Sequence, residues 1–491
     1  MADSRATLTS LYRPVAGRHD EAVSAAGALS DAWRPVADGF DALGRDGMEA
    51  LRRDAARLLD AQAATHLVDD EDGVAASRPW QLDPVPVAID AGEWSRLASG
   101  IAQRLQVIEG VLDDLYGERR LLQSGAIPVE AVAGHPAYRL ALVGARPPCG
   151  PRLVVYGVDL VRTADGVWRV LRDATDAPAG LGYALLYRQV LSRLLPGPFR
   201  TGTIARLAPL EAVLRAALAE ATPPDRDRAR IVVLTGGPQH DSYVEHALLA
   251  SRLGYHLAEA NDLAVRDDRV WLRSVEGLEP VDVVYRRLED GASDPLEVGA
   301  DDGVAGLAGV VRAGGVGLAN HLGSALGGSV GVLPFLDECA RTVLGEPLRL
   351  PSIPSLWCGS AEARAAVEAD LGRFVLHDTA ARAGNGGRAV FGDRLDAEQE
   401  RVWRDLIRDE PERVVAQEFL HFATSPVLRA GGLEPGIVTI RAVAVHGPDG
   451  IEVLPGGVGR VVDPSVPVVA QPRGSSGGIV GARLVSPRRA P

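Results

Sequence analysis

The feature that most narrows the possible folds is a dipeptide. Asp165-Gly166 stands between LVVYGVDLVR (153–162) and VWRVLRDA (167–174), two runs rich in β-branched and aromatic residues. An Asp-Gly step between such runs is a strong hairpin signal, because the tight turns that match strand twist need positive φ at their central residues. With those two residues as the loop, Ala164 pairs with Val167, and counting outward puts Asp159 opposite Arg172 on one face. Ala174 lies two residues further along that face. The expectation is a cross-strand ion pair between Asp159 and Arg172; the alternative is two solvated surface charges.

Hydrophobic periodicity organises the rest. Met48, Leu51, Ala55, Leu58, Leu59 and Ala63 recur at helical spacing as one buried stripe. A second helix is expected over 93–116, carrying Trp94, Gln103, Arg104 and Asp114 and ending at Tyr116-Gly117. Residues 229–320 read as a small α/β unit with an open parallel sheet: IVVL at 231–234, a Gly-Gly-Pro turn, a helix through Leu253, then strands in VDVVYRR and VGLAN. From residue 374 the pattern is strand FVLHD, glycine-rich loop AARAGNGGR, helix over 396–408, strand VVAQEF, and a second hairpin, IVTIRAVAV and IEVLP, around Pro448-Asp449-Gly450. Four regions follow: 1–134 helical, 135–225 holding the first hairpin, 226–370 the α/β unit, and 371–491 the last strands and hairpin.

Composition excludes several classes. A chain of 491 residues with 46% apolar content can bury more than one core. It lacks both a run of apolar residues long enough to cross a bilayer and a basic-then-apolar leader, so the expectation is no membrane and a cytoplasmic location. Cys149, Cys339 and Cys358 have neither metal nor disulfide spacing, which suits a reducing compartment. A net charge of −13 without a basic stripe argues against nucleic acid. All 52 basic residues are arginine, so any mechanism that needs a lysine amine is excluded.

The order of local motifs carries a resemblance. DDLYG closing the 93–116 segment, the hairpin followed by Pro178-Ala179-Gly180 and Tyr183, EHALLASRLG, VVYRRLED with DPLE, ANHLGS, VLGEPLRLPSIPSLWCG, VAQEFLHFATSP and VLPGGVGR occur in sequence. In that order they resemble the circularly permuted ATP-grasp type 2 proteins, relatives of glutathionylspermidine-synthetase-like ligases, over about residues 20–486. The resemblance implies a mixed α/β (α+β) fold: a circularly permuted ATP-grasp core, a small α/β pre-ATP-grasp-like domain and a helical N-terminal region. It implies ATP-dependent amide-bond formation through an acyl-phosphate, with Mg²⁺ on the phosphates, cations beside them and a glycine-rich cover.

Against that pattern the chain departs at several places. Where the family places a lysine at the end of the lid strand, this chain has His377, followed by Asp378. Where it places Glu-Asp-Asn in the hairpin, this chain reads Arg172-Asp173-Ala174, leaving Asp159 and Asp173 as vestigial metal ligands. Leu186-Tyr187 ahead of Arg188 stands where the family pattern has Glu-Asn, Gly328 where it has a glutamate, and Val480-Gly481-Ala482 where it has Lys-Asp-Trp. Codon bias explains lysine becoming arginine; it does not explain glutamate becoming arginine and asparagine becoming alanine at one site.

Other positions match. The resemblance makes Arg382, Gly384, Gly386 and Gly387 of the lid loop, Gln417 and Glu418 of the hinge, and Arg441 candidate nucleotide contacts. It makes Arg188, Glu245, His246, Arg286, Arg287, Asp290, Asn320 and Ser324 candidate substrate contacts. Arg286 and Arg287 could clamp a carboxylate, or could belong to an internal ion-pair network with Glu289 and Asp290. The favoured reading is a degenerate ATP-grasp protein acting as a binding or scaffold partner of, for example, an active paralogue, with no cofactor required. The alternative is a working ligase for carboxylate and amine substrates, small or peptidic, in which Arg382 and Arg441 hold ATP phosphates and Asp159, Asp173 or Glu418 bind Mg²⁺. A third is carboxylate binding without nucleotide through Arg286-Arg287.

Overall fold

The computed structural model describes residues 12–62, 65–69, 75–79, 82–195, 204–207, 209–226, 229–289, 293–298, 303–380, 389–429, 432–462 and 482–487. The N-terminal quarter is helical where the periodic stripe predicts it, in Arg34–Asp60, with Met48, Leu51, Ala55 and Leu59 buried. It also holds a two-stranded ribbon, β1 (Thr65–Asp69) and β2 (Ala75–Pro79), which the helical reading does not anticipate. The second expected helix is Ala91–Leu115, started by the Asp90 carboxylate accepting the Gly92 and Glu93 N–H groups.

The largest sheet runs in the order β3-β20-β19-β18-β4-β5. Its members are β3 (Val87–Ile89), β4 (Val155–Arg162), β5 (Trp168–Ala174), β18 (Gly432–Gly447), β19 (Gly450–Val462) and β20 (Ala482–Pro487), with β17 (Thr424–Arg429) pairing on β18. Both hairpins read from the sequence are here: β4–β5, and β18–β19 closed at Gly447 and Gly450. Every residue of β4 is buried, as befits an internal strand packed on both faces.

The β4–β5 register reaches the expected pairing by a different route. Arg162 pairs with Trp168, so the turn is longer than two residues, and the Val167 carbonyl accepts both the Thr163 N–H (2.9 Å) and its hydroxyl (2.8 Å). A bulge then absorbs Leu171 and restores the count, so Asp159 faces Arg172 and Gly157 faces Ala174.

Residues 229–320 form the expected parallel sheet, in the order β12-β11-β6-β7, from β6 (Ile231–Leu234), β7 (His256–Ala258), β11 (Val283–Arg286) and β12 (Gly317–Ala319). An antiparallel β8 (Leu263–Arg266), β9 (Arg269–Ser274) and β10 (Gly277–Val281) is inserted between β7 and β11. A last sheet, β13-β16-β14-β15, joins β13 (Ser355–Trp357), β14 (Phe374–Asp378), β15 (Val390–Phe391) and β16 (Val414–Glu418), covered by the helix Ala397–Asp409. Among the described residues no helix is long and apolar enough to cross a membrane.

Asn320, just beyond β12, ties the parallel sheet to the large one. Its amide donates to the Val155 (2.7 Å) and Thr175 (2.6 Å) carbonyls, and its oxygen accepts the Val155 N–H (2.8 Å). Three bonds worth about 1 kcal/mol each make Asn320→Ala about 3 kcal/mol less stable. Urea unfolding measures this; an unchanged midpoint contradicts the tie.

Candidate functional site

A row of three side chains crosses the face of the large sheet. Arg441 on β18 and Arg172 on β5 both lie opposite Asp159 on the strand between them. Arg441 donates to Asp159 from Nε (2.5 Å, Oδ1) and Nη2 (2.7 Å, Oδ2), and Arg172 from Nε (3.1 Å) and Nη2 (2.9 Å), both to Oδ2. Burial alone would raise the Asp159 pKa; Arg441 and then Arg172 outweigh it and hold the carboxyl well below the usual carboxylate range. Thr439 and Arg460, which pair across β18–β19, sit on the same face beside this row.

This face is the floor of a cavity of about 190 Å³. His377 from β14, Gln417 from β16 and Ala389 roof it, and 328–330 with Leu333 form a wall. His377 and Gln417 project from the same face of their sheet, because Val375 pairs with Gln417 and His377 with Val415. Burial lowers the His377 pKa to about 4, so the ring is neutral at pH 7 and supplies no charge where the family has its lysine. His377 and Gln417 lie against each other at the roof as side-chain partners, and the Gln417 contact partly offsets the effect of burial on the His377 ring.

The carboxylates present do not fit a magnesium ion. Both Asp159 oxygens are occupied by guanidinium groups. Asp173 borders the cavity, but its carboxylate turns away: Arg104 of the helix Ala91–Leu115 donates to it twice at 2.7 Å, and the Tyr156 hydroxyl once at 2.5 Å. Glu418 faces Arg373 at 3.8 Å instead of the cavity. A hard dication needs several oxygen ligands with free lone pairs, and among the described residues no three His, Cys, Asp or Glu side chains gather to offer them. At position 328 a side chain has no room: a Cβ there would meet the Asp173 carbonyl oxygen and Thr175 Oγ1, each at 2.9 Å.

The structure separates the predicted residues into groups. Asp159, Asp173 and Gln417 meet at the cavity; Arg441 reaches it only through Asp159 and the Ala179 carbonyl (3.0 Å). Asn320 makes the three bonds to Val155 and Thr175 described above, and Ser324 Oγ accepts from Arg286 at 3.3 Å. Arg286 is wholly buried and pairs at 2.7 Å with Asp176, a partner other than the Glu289 and Asp290 of the expected network. Glu245 caps the Gly180 and Gly182 N–H groups at 2.8 Å each and lies 3.8 Å from Arg287, both side chains buried. His246 bonds Thr235 (2.8 Å), and Arg188 donates to the Ala205 carbonyl (2.8 Å). Arg382, Gly384, Gly386, Gly387 and Asp290 lie outside the described residues.

Known proteins agree with this geometry on the fold. The pattern describing circularly permuted ATP-grasp type 2 proteins matches residues 86–462. The chain belongs to that family. Similar proteins include an uncharacterised protein of Mycobacterium bovis, 36% identical over 386 residues, 78% of this chain and 70% of the relative. Another from Synechocystis is 31% identical over 406 residues, 82% of this chain and 84% of that one. Among solved structures, the apo form of a glutathione synthetase-like effector from Globodera pallida superimposes with a TM-score of 0.55 at 13% identity, covering 90% of this chain and 96% of the other, which speaks to the fold alone.

Sequence reasoning on this ATP-grasp chain missed Thr439, Arg460, Ser329 and the Arg104–Asp173–Tyr156 cluster. Extending the second hairpin's register from its turn would put Val458 opposite Thr439; a bulge in which 454–456 face Val443 puts Arg460 there. The Asp159 row generates two predictions. Asp159→Asn lowers unfolding free energy by about 3 kcal/mol, the low end for breaking a buried ion pair because Arg172 is half exposed. Since the Asp159 pKa is depressed in the fold, its contribution is fully present above the ordinary carboxylate pKa and is lost as pH falls below about 4. Urea titrations at pH 7 and pH 3 should show the variant's deficit shrinking at the lower pH; an equal deficit at both contradicts the ion-pair account. Gly328→Glu, which restores the family's carboxylate, should destabilise the protein and create no Mg²⁺ site, read by thermal melting with and without Mg²⁺. A Mg²⁺-dependent rise in Tm would overturn this.

Proposed function

We propose that this chain is a catalytically degenerate ATP-grasp protein that keeps the ligase architecture and acts as a binding or scaffold protein. ATP-grasp proteins in general use ATP and Mg²⁺ to join carboxylates to amines. The observation that carries the reading is the occupation of Asp159 by Arg441 and Arg172, at 2.5–3.1 Å. A fixed guanidinium stands where a metal would have to bind, and no other free carboxylate faces the cavity among the described residues. The neutral His377 adds to this, because the cation that would neutralise a transferring phosphate is missing from the lid strand. A rearranged ligase using Asp159 or Asp173 for Mg²⁺ would first have to break ion pairs whose carboxylate side chains are only 12% and 2% exposed.

The test is a coupled assay for ADP release from ATP and Mg²⁺, in the presence of a panel of amino acids, polyamines and short peptides. The expected outcome is no ADP above a protein-free control. Magnesium-dependent ADP formation that tracks a carboxylate and an amine would establish a working ligase and refute the proposal.

A further inference from the structure

The cavity floor carries more positive charge than its carboxylates balance. Arg172, Arg441 and Arg460 stand beside Asp159, and Asp173 is already neutralised by Arg104. Glu245, whose field also reaches Arg441, has Arg287 beside it at 3.8 Å. The row therefore holds a surplus of two positive charges, three guanidinium groups against one carboxylate. The Arg460 side chain reaches solvent at the cavity and its guanidinium makes no hydrogen bond or ion pair among the described residues, although burial is enough to lower its pKa; Arg172 keeps half its side-chain surface open.

The wall adds a donor of fixed polarity. His135 Nδ1 accepts the Ala137 N–H at 3.0 Å, so the proton of its neutral ring sits on Nε2. Burial keeps that ring neutral, lowering its pKa to about 4. Nε2–H then donates to Ser329 Oγ at 2.6 Å, and the Gly331 N–H donates to the same oxygen at 3.0 Å. Both lone pairs of Oγ are taken. The Ser329 proton has to be given outward; it has no acceptor among the described residues, and Ser329 lines the cavity. The arrangement also rules out a nucleophilic Ser329, because His135 faces it as a donor and cannot take its proton.

We propose that Arg172, Arg460 and Ser329 form a metal-independent phosphate site, whose ligand is a phosphate or diphosphate ester bound without a divalent cation. Two guanidinium groups and one hydroxyl donor meet phosphate oxygens directly, in the charge role that Mg²⁺ fills elsewhere. Asp159 holds Arg172 and Arg441 in place, so the ion pair that excludes the metal also orients the group that replaces it. At the roof His377 and Gln417 are side-chain partners of each other, so the phosphate contacts on the floor and wall define the ligand class. The site rests on the reading that this protein has lost its metal.

The experiment is calorimetric titration of ADP, and in parallel of inorganic pyrophosphate, into the full chain in EDTA and in Mg²⁺ at matched ionic strength. Stoichiometric ADP binding in EDTA, weakened roughly tenfold or more by Arg460→Gln and roughly fivefold by Ser329→Ala, is expected. Arg460→Gln should melt close to the parent, since its guanidinium makes no hydrogen bond or ion pair among the described residues; Ser329→Ala leaves the His135 Nε2–H and the Gly331 N–H without their acceptor and melts lower, so its affinity is read well below its transition. Pyrophosphate binding as tightly as ADP assigns the site to phosphate groups at large; weaker binding with the same Arg460 sensitivity assigns it to nucleotides. No binding in either buffer overturns the phosphate site and leaves the degenerate reading intact. Binding that requires Mg²⁺ overturns both.

Discussion

Asp159 is the residue on which the cleft depends. It lies on β4, an internal strand with neighbours on both sides, and each neighbour places an arginine directly opposite it. A carboxylate 8% exposed cannot remain ionised without compensation, and here the compensation comes from the ladder itself. The consequence is chemical as well as structural. Lone pairs committed to guanidinium groups are unavailable to a metal, so the contacts that stabilise three strands also compete with any cation for Asp159.

The surroundings are built consistently with that replacement. Asp173, next to Arg172 in sequence, points to the opposite face and is fixed by Arg104 and Tyr156, which ties β5 to the helix Ala91–Leu115. Gly328 packs against the β5 backbone so closely that no side chain fits. Asn320 anchors the parallel sheet to the start of β4 and to Thr175 just beyond β5. These contacts are mutually supporting, and reinstating one family residue would disturb packing that involves the others. Arg172 and Gly328, two positions that differ from the family pattern, are thus both held by contacts to β4 and β5.

Much of this was legible in the sequence because local rules govern it. The Asp165-Gly166 signal predicted the Asp159–Arg172 pairing, although a longer turn and the Leu171 bulge were two compensating deviations that a simple count could not reveal. Helical periodicity located the helices Ala91–Leu115 and Ala397–Asp409 within a few residues, and marked the second half of Arg34–Asp60 by its stripe from Met48, whose last member, Ala63, lies outside the described residues. What stayed hidden was set by tertiary contact. Arg441 as the second partner of Asp159 requires knowing that β18 lies beside β4, two strands far apart in the chain. Arg460 depends on a β19 bulge, and the polarity of Ser329 on a histidine nearly two hundred residues away. The pairing of Arg286 with Asp176, a hundred and ten residues earlier in the chain, has no local sequence signal.

The central claim is that arginines occupy the place of the metal. It is tested most directly by anomalous diffraction from crystals grown with ADP and Mn²⁺. The account predicts no manganese peak at Asp159, with Arg172 and Arg441 still bonded to its two oxygens. A manganese ion coordinated by Asp159, with Arg172 swung away, would contradict it.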